Sequence, residues 1–167
     1  SRVSADEEIS RVALVIEAVA RRFDIPISVD TSKSQVARAA LDAGAEIIND
    51  ISGLRFDPLL AQSVAESKAG LVLMHSRGEF ESMHSQRPVD HILADVAADF
   101  RRAVQEAATA GVGRKQIVLD VGIGFGKTLD QNLELIAKLD KLKSEFADYP
   151  IMVGTSRKSF IGKLLGN

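Results

Sequence analysis

Short apolar runs alternate with amphipathic helical stretches along the whole chain, and this alternation constrains the fold more than any other feature. Ser4 and Glu7 form a capping-box signature, and Ile9, Val12, Ile16, Val19 and Phe23 follow at steps of three and four, the spacing of one helix face. A strand is predicted over Ile25–Val29, then a helix over Ser34–Asp42 that Gly44 stops. Further strands are predicted over Glu46–Ile51, Gly70–Met74, Gln116–Leu119 and Ile151–Val153. Between them, Asp57 suits a helix cap and Pro58 a first helical turn. A helix over Asp90–Ala110 is expected to bury Leu93, Val96, Phe100 and Val104, and one over Asp130–Phe146 to bury Leu135, Leu139, Leu142 and Phe146. Strands that alternate with helices predict a parallel sheet with helical crossovers.

Two parallel architectures compete. A doubly wound sheet gathers its ligand groups at one switch point, whereas a barrel displays them at the ends of many strands. Here polar residues end all five predicted strands: Asp30, Asn49-Asp50, His75, Asp120 and Thr155-Ser156. That pattern favours a (β/α)8 TIM barrel. A complete barrel needs about 250 residues, so the expected fold is an incomplete one of about five of the eight units, as a single domain over residues 1–167. Ser1 enters a helical pattern directly and the chain stops at Gly166-Asn167, so both ends read as cuts in a longer protein.

Composition narrows the function. A formal net charge of −2 favours neither nucleic acid nor an anionic membrane surface as partner. The absence of cysteine excludes disulfides, thiolate catalysis and cysteine-ligated metal, and agrees with a cytoplasmic location. No apolar run approaches the roughly 20 residues that span a bilayer. His75, His84 and His91 show no helical metal-ligand spacing. No serine sits in a nucleophile elbow.

The richest segment is Asp120-Val121-Gly122-Ile123-Gly124-Phe125-Gly126-Lys127-Thr128. It follows Ile117-Val118-Leu119, and a second loop, Ser156-Arg157-Lys158-Ser159, follows another apolar run, so the two strand ends suggest one pocket assembled from distant parts of the chain. A P-loop would need glycine at 121, which is Val, and a dinucleotide fingerprint would need glycine at 127, which is Lys. Both fail by register. The glycines still allow close backbone approach to a flat or anionic ligand, or make a tight turn only. Asp30 equally suits a helix cap, Asn49 a turn, His75 a structural role, and Arg157-Lys158 a surface pair. Two carboxylates, an amide and a lysine at four strand ends suit recognition of a planar heterocycle with mixed donors and acceptors.

At these residues the chain resembles the dihydropteroate synthase family. Ile27-Ser28-Val29-Asp30-Thr31-Ser32-Lys33, Ile47-Ile48-Asn49-Asp50-Ile51-Ser52-Gly53, Leu73-Met74-His75 with Arg77-Gly78, Asp120–Thr128 and Val153-Gly154-Thr155-Ser156-Arg157-Lys158-Ser159-Phe160-Ile161-Gly162 resemble the family's third to seventh strand motifs in order. The resemblance implies a pterin-binding TIM barrel that condenses a hydroxymethyl-dihydropterin pyrophosphate with 4-aminobenzoate. It implies pterin contacts from Asp30, Asn49, Asp120 and Lys158, with Met74, Phe125 and Gly154 walling the pocket. Ser156, Lys158 and Ser159 fall where the family holds aminobenzoate and its sulfonamide mimics. Asp30 and Lys158 are the implied catalytic residues.

In that setting ionised Asp120, acceptor-only, takes the pterin's amino and ring N–H donors. Asn49 donates and accepts toward ring nitrogens, Lys158 donates to the pterin carbonyl, and Asp30 stabilises positive charge as pyrophosphate departs. Val121 stands where the family usually has proline, which is expected to loosen the turn. The resemblance further implies that the family's first two strands and last strand are missing, and with them the Asn that helps bind Mg²⁺ and the pyrophosphate ligands. The stretch alone is therefore expected to lack synthase activity, and an exposed barrel edge would offer a template for a homodimer. Two rival readings are a pterin-binding methyltransferase domain serving a corrinoid, which has no use for Ser156–Ser159, and a non-catalytic remnant.

Overall fold

The computed structural model of the chain describes residues 3–78, 88–156, 158, 161, 162 and 166. Its elements run α1 (Ala5–Ala20), β1 (Ser28–Asp30), α2 (Ser34–Asp42), β2 (Ile47–Asp50), α3 (Leu60–Ser67), β3 (Gly70–Met74), α4 (Ile92–Thr109), β4 (Ile117–Asp120), α5 (Leu129–Ala137), α6 (Leu139–Glu145) and β5 (Ile151–Met152). The five strands form one all-parallel sheet in the order β1-β2-β3-β4-β5. An order without reversal has no switch point and is that of successive units of a (β/α)8 barrel, as the strand-end polarity predicts.

Because side chains alternate along a strand, the register sorts every strand residue to one of two faces. Val29, Ile48, Leu71 and Ile117 lie in one row, and Asp50, Leu73 and Leu119 in another row of the same face. The apolar members of both rows are buried in one core with Ala37, Ala40, Leu60, Val64, Ile92, Val96, Phe100, Leu135 and Leu142 of the helices. The rows between them, Asp30-Asn49-Val72-Val118 and Met74-Asp120-Met152, therefore point to the opposite face.

Several local expectations shift. The first strand is shorter than its apolar run, and Phe23 and Ile25 are 57% and 55% exposed. In α4 the deeply buried line is Ile92, Val96, Phe100, Ala103 and Ala107, while Leu93 and Val104 pack only part-buried at its flank. The predicted Asp130–Phe146 helix is two helices, broken at Lys138 (φ −118°, ψ 23°) with no glycine or proline to mark the break. Phe100 meets Phe146 edge to face at 5.4 Å and ties α4 to the end of α6.

Asp57 does more than cap its own turn. Its Oδ1 accepts from Leu59 N at 3.0 Å, and its Oδ2 accepts from Ser34 N at 2.7 Å, so it also satisfies the first turn of α2 from another segment. Burial raises its carboxyl, but these N–H bonds outweigh that and hold it below the ordinary value.

Candidate functional site

The face opposite the helices carries most of the predicted site. Asn49 Nδ2 donates to Asp30 Oδ1 at 2.8 Å across adjacent strands, which fixes both side chains. Asn49 Oδ1 is then a buried acceptor that no donor among the described residues reaches. Such a group costs stability unless a ligand or water satisfies it. One row further along the strands, Met74 and Asp120 are register partners, 3% and 7% exposed. Asp120 Oδ1 accepts from Gly122 N at 2.8 Å. Burial raises the Asp120 carboxyl, and the Gly122 N–H, Lys127 and Lys158 oppose that rise.

The loop after β4 builds the adjoining wall. Thr128 and Gln131 form a reciprocal capping box that starts α5: Gln131 N donates to Thr128 Oγ1 at 3.2 Å and Thr128 N to Gln131 Oε1 at 3.0 Å. Asn132, buried on the same turn, accepts from Gly124 N at 2.8 Å and donates to Thr128 O at 2.7 Å. Val121 is fully buried and gives its N–H to Met152 O at 3.4 Å, a bond that proline there would not make, so valine extends the pairing of β4 and β5 where a looser turn was expected. Phe125 lies beneath Lys158, whose Nζ is 4.0 Å from the ring centroid. Burial lowers the Lys158 ammonium and Asp120 opposes it.

The other predicted residues sit at the rim. Gly154 and Ser156 are exposed, and a Cβ at Gly154 would meet nothing within 4 Å. Ser159 lies outside the described residues, as does His84. Asp50 and His75 belong to the helix side. His75 takes the structural role weighed for it: its Nε2 is 3.3 Å from Asp95 Oδ2, which is also 3.3 Å from Arg77 Nε. Burial lowers the imidazole, with Asp95 opposing.

A cleft of about 390 Å³ lies beside this cluster, between Arg55, His75, Arg77, Asp95, Asp99 and Arg102, and contains none of the residues that line the sheet's open face. Its guanidiniums are already committed: Arg55 to Ser52 O and to Ser76, Arg77 to Asp95, and Arg102 to Asp99, Glu106 and Gly53 O. It is a brace between α4 and the strand ends.

Sequence reasoning passed over Lys127 and Asn132. Lys127 entered only as the position where the dinucleotide fingerprint fails, and Asn132 carried no motif; the capping pair Thr128-x-x-Gln131 was the available signal that the helix starts there and turns Asn132 toward the loop. The Lys127 ammonium donates to Gly122 O at 2.8 Å, His75 O at 3.1 Å and Phe125 O at 3.2 Å. Burial lowers it to about 7, with Asp120, Asp95 and Asp99 raising it and Arg77 lowering it. Between about 7 and the 10.5 of a free lysine the unfolded chain binds more protons than the folded one, so this group makes stability rise with pH across that window. Urea unfolding at several pH values from 6.5 to 10 is expected to show that rise, and Lys127→Met to flatten it; the same slope in both proteins would place the titration elsewhere.

Among the described residues no three His, Asp or Glu side chains cluster as metal ligands, and no helix is long and apolar enough to cross a membrane.

The family model described as "Pterin binding enzyme" matches residues 1–167. Dihydropteroate synthase of Synechocystis sp. is 44% identical over 163 residues, 98% of this chain and 56% of that protein. A dihydropteroate synthase from Yersinia pestis, solved with a sulfonamide drug, superposes with a TM-score of 0.93 at 38% identity, covering all of this chain and 60% of the other. One from Xanthomonas albilineans, solved with 4-aminobenzoic acid, gives 0.90 at 36% identity, covering all of this chain and 58% of the other. The chain thus spans somewhat over half the length of these relatives.

Proposed function

The chain belongs to the pterin binding enzymes, and from that premise we propose that it carries the pterin pocket of a dihydropteroate synthase of folate biosynthesis. The observation that carries this reading is the open acceptor set on one sheet face: buried Asn49 Oδ1, without a donor among the described residues, and the Asp120 carboxylate, whose one described hydrogen bond uses Oδ1. A ligand for such a face brings N–H donors, as the amino and ring N–H groups of a pterin do. The matched synthases solved with a sulfonamide and with 4-aminobenzoic acid support the second substrate.

In the proposed reaction the aminobenzoate nitrogen attacks the pterin methylene carbon. The C–N bond forms, the C–O bond breaks with its electron pair leaving on pyrophosphate, and the proton shed by the amine passes to that departing pyrophosphate. Asp120 and Asn49 hold the pterin edge. Lys158, standing over Phe125, reaches from pterin to aminobenzoate. Asp30, fixed by Asn49, supplies negative charge where the departing pyrophosphate leaves positive charge. Met74 floors the pocket, and Gly154, Ser156 and Ser159 belong to the aminobenzoate side in this reading. Mg²⁺ would neutralise pyrophosphate in such a reaction; the described residues offer no ligand cluster for it, so no step here depends on it. A cytoplasmic setting and a homodimer belong to the same proposal.

Calorimetry with 6-hydroxymethylpterin tests it. Asp120→Asn replaces an acceptor-only group by one that also presents N–H toward the ligand's donors. Affinity is expected to fall roughly 100-fold, two charge-assisted hydrogen bonds being worth about 3 kcal/mol or more. Binding within threefold of the parent would remove Asp120 from the pocket, and no binding by the folded parent would remove the pocket from this chain.

A further inference from the structure

We propose that Lys127 is a positioning residue for the ligand face: its ammonium clamps the carbonyls of Gly122 and Phe125 to that of His75, and so aims both Asp120 and Lys158. This inference rests on the pterin reading above and concerns a residue whose Nζ is held by backbone carbonyls.

The geometry leaves Lys127 no hydrogen for a ligand. In its protonated form, below about 7, Lys127 has three N–H donors, and three backbone carbonyls take them. Those carbonyls lie one step from two ligand groups. Gly122 receives Lys127 at its carbonyl and gives its N–H to Asp120 Oδ1, so holding Gly122 fixes the direction in which the free carboxylate oxygen points. Phe125 receives Lys127 at its carbonyl and sets its ring beneath the Lys158 ammonium. The third acceptor, His75 O, belongs to the residue that follows β3, and His75 N donates to Asp120 O at 2.9 Å. The clamp therefore references the glycine loop to the rigid ends of β3 and β4 rather than to the loop itself.

A second observation fits the same picture. A Cβ on Gly122 would stand 3.2 Å from Lys127 Nζ and 1.9 Å from His75 O, so the close approach that the clamp spans exists only because residue 122 lacks a side chain. Asn132 pins Gly124 independently from α5. Loss of the clamp should therefore misaim the loop without detaching it.

The absence of cysteine from the chain allows a restoration test. In the whole chain, Lys127→Cys gives a single thiol, and aminoethylation under denaturing conditions followed by refolding returns an ammonium at nearly the original reach. The measurements are the affinity for 6-hydroxymethylpterin by calorimetry and hydrogen exchange of residues 121–126 without ligand. Lys127→Met is expected to bind at least tenfold more weakly and to exchange faster in that segment, and aminoethylated Lys127→Cys to return within threefold of the parent on both. Parent-like affinity and exchange in Lys127→Met would overturn the inference. If that variant fails to fold, the aminoethylated and unmodified cysteine proteins decide it, since equal behaviour of the two also overturns it. A folded parent that binds no pterin would sink the pterin reading, and the exchange comparison would still decide whether Lys127 holds the loop.

Discussion

Asp50→Ala is expected to destabilise the fold by about 4 kcal/mol, which is a large part of the stability of a typical domain. Asp50 is fully buried and points to the helix side of the sheet. Its Oδ1 accepts from Ser32 Oγ at 2.7 Å, Ser52 N at 2.9 Å and Ser52 Oγ at 2.7 Å, and its Oδ2 accepts from Leu54 N at 2.7 Å. Alanine strands two backbone N–H groups and two hydroxyls, and each buried orphan costs about 1–3 kcal/mol, less for hydroxyls free to rotate. The loop it holds is itself strained. Leu54 has φ of 69°, a left-handed conformation that costs a residue with a Cβ about 1–2 kcal/mol, and Asp50 Oδ2 is what receives its N–H. Urea unfolding would show the loss as a lower midpoint at unchanged slope. A loss below 1 kcal/mol would mean that water or neighbours replace the carboxylate. Because Asn49 precedes Asp50, a further consequence is weaker pterin binding even where the variant stays folded.

Gly122→Ala is expected to cost about 3 kcal/mol of stability and to abolish measurable pterin binding. Two independent penalties add. Gly122 has φ of +65°, which disfavours any Cβ by about 1–2 kcal/mol. The added Cβ would then lie 1.9 Å from His75 O, a backbone atom at a strand end that cannot turn aside as a side-chain tip would. Relief requires the loop to move off β3, and that movement carries away the Gly122 N–H that Asp120 accepts. Gly154→Ala is the informative contrast, since nothing lies within 4 Å of its Cβ position. It should leave stability within about 0.5 kcal/mol of the parent. Equal stability of the two variants by urea unfolding would contradict the steric argument.

Much of the architecture was legible. The helix Ser34–Asp42 and the strand Gly70–Met74 match their predicted bounds, because a glycine stop and a clean apolar run mark them. Elsewhere local signals misled. Ile25 is apolar and β-branched, yet it lies outside β1 because strand length follows the partner, and β2 begins pairing only at Ser28. Leu93 looked like core, but Ile92, Val96, Phe100 and the alanines take the deeply buried line and Leu93 packs part-buried beside it. The break at Lys138 has no glycine or proline to announce it.

The candidate site divides in the same way. Asp30, Asn49 and Asp120 stand at the strand ends that the sequence pointed to, and Met74, which only the family resemblance brought in, lies on the same face, while Asn132 and the contacts of Lys127 were invisible to it. Their importance lies in hydrogen bonds to backbone atoms, and a backbone acceptor has no sequence letter.

The alternation of strands and helices, the polar residues at each strand end and the failure of the nucleotide-loop registers can be read from the chain, because periodicity and spacing are local properties. Which polar residues share a face is settled in three dimensions. Asn49 and Asp50 are neighbours in the chain, yet the period of two sends one to the open face, with an oxygen that no donor among the described residues reaches, and the other into the core with four donors. The same parity turns Asp120 toward the ligand face and His75 toward α4. Strand register fixes that choice, and register is set by pairing between segments that are distant in the chain.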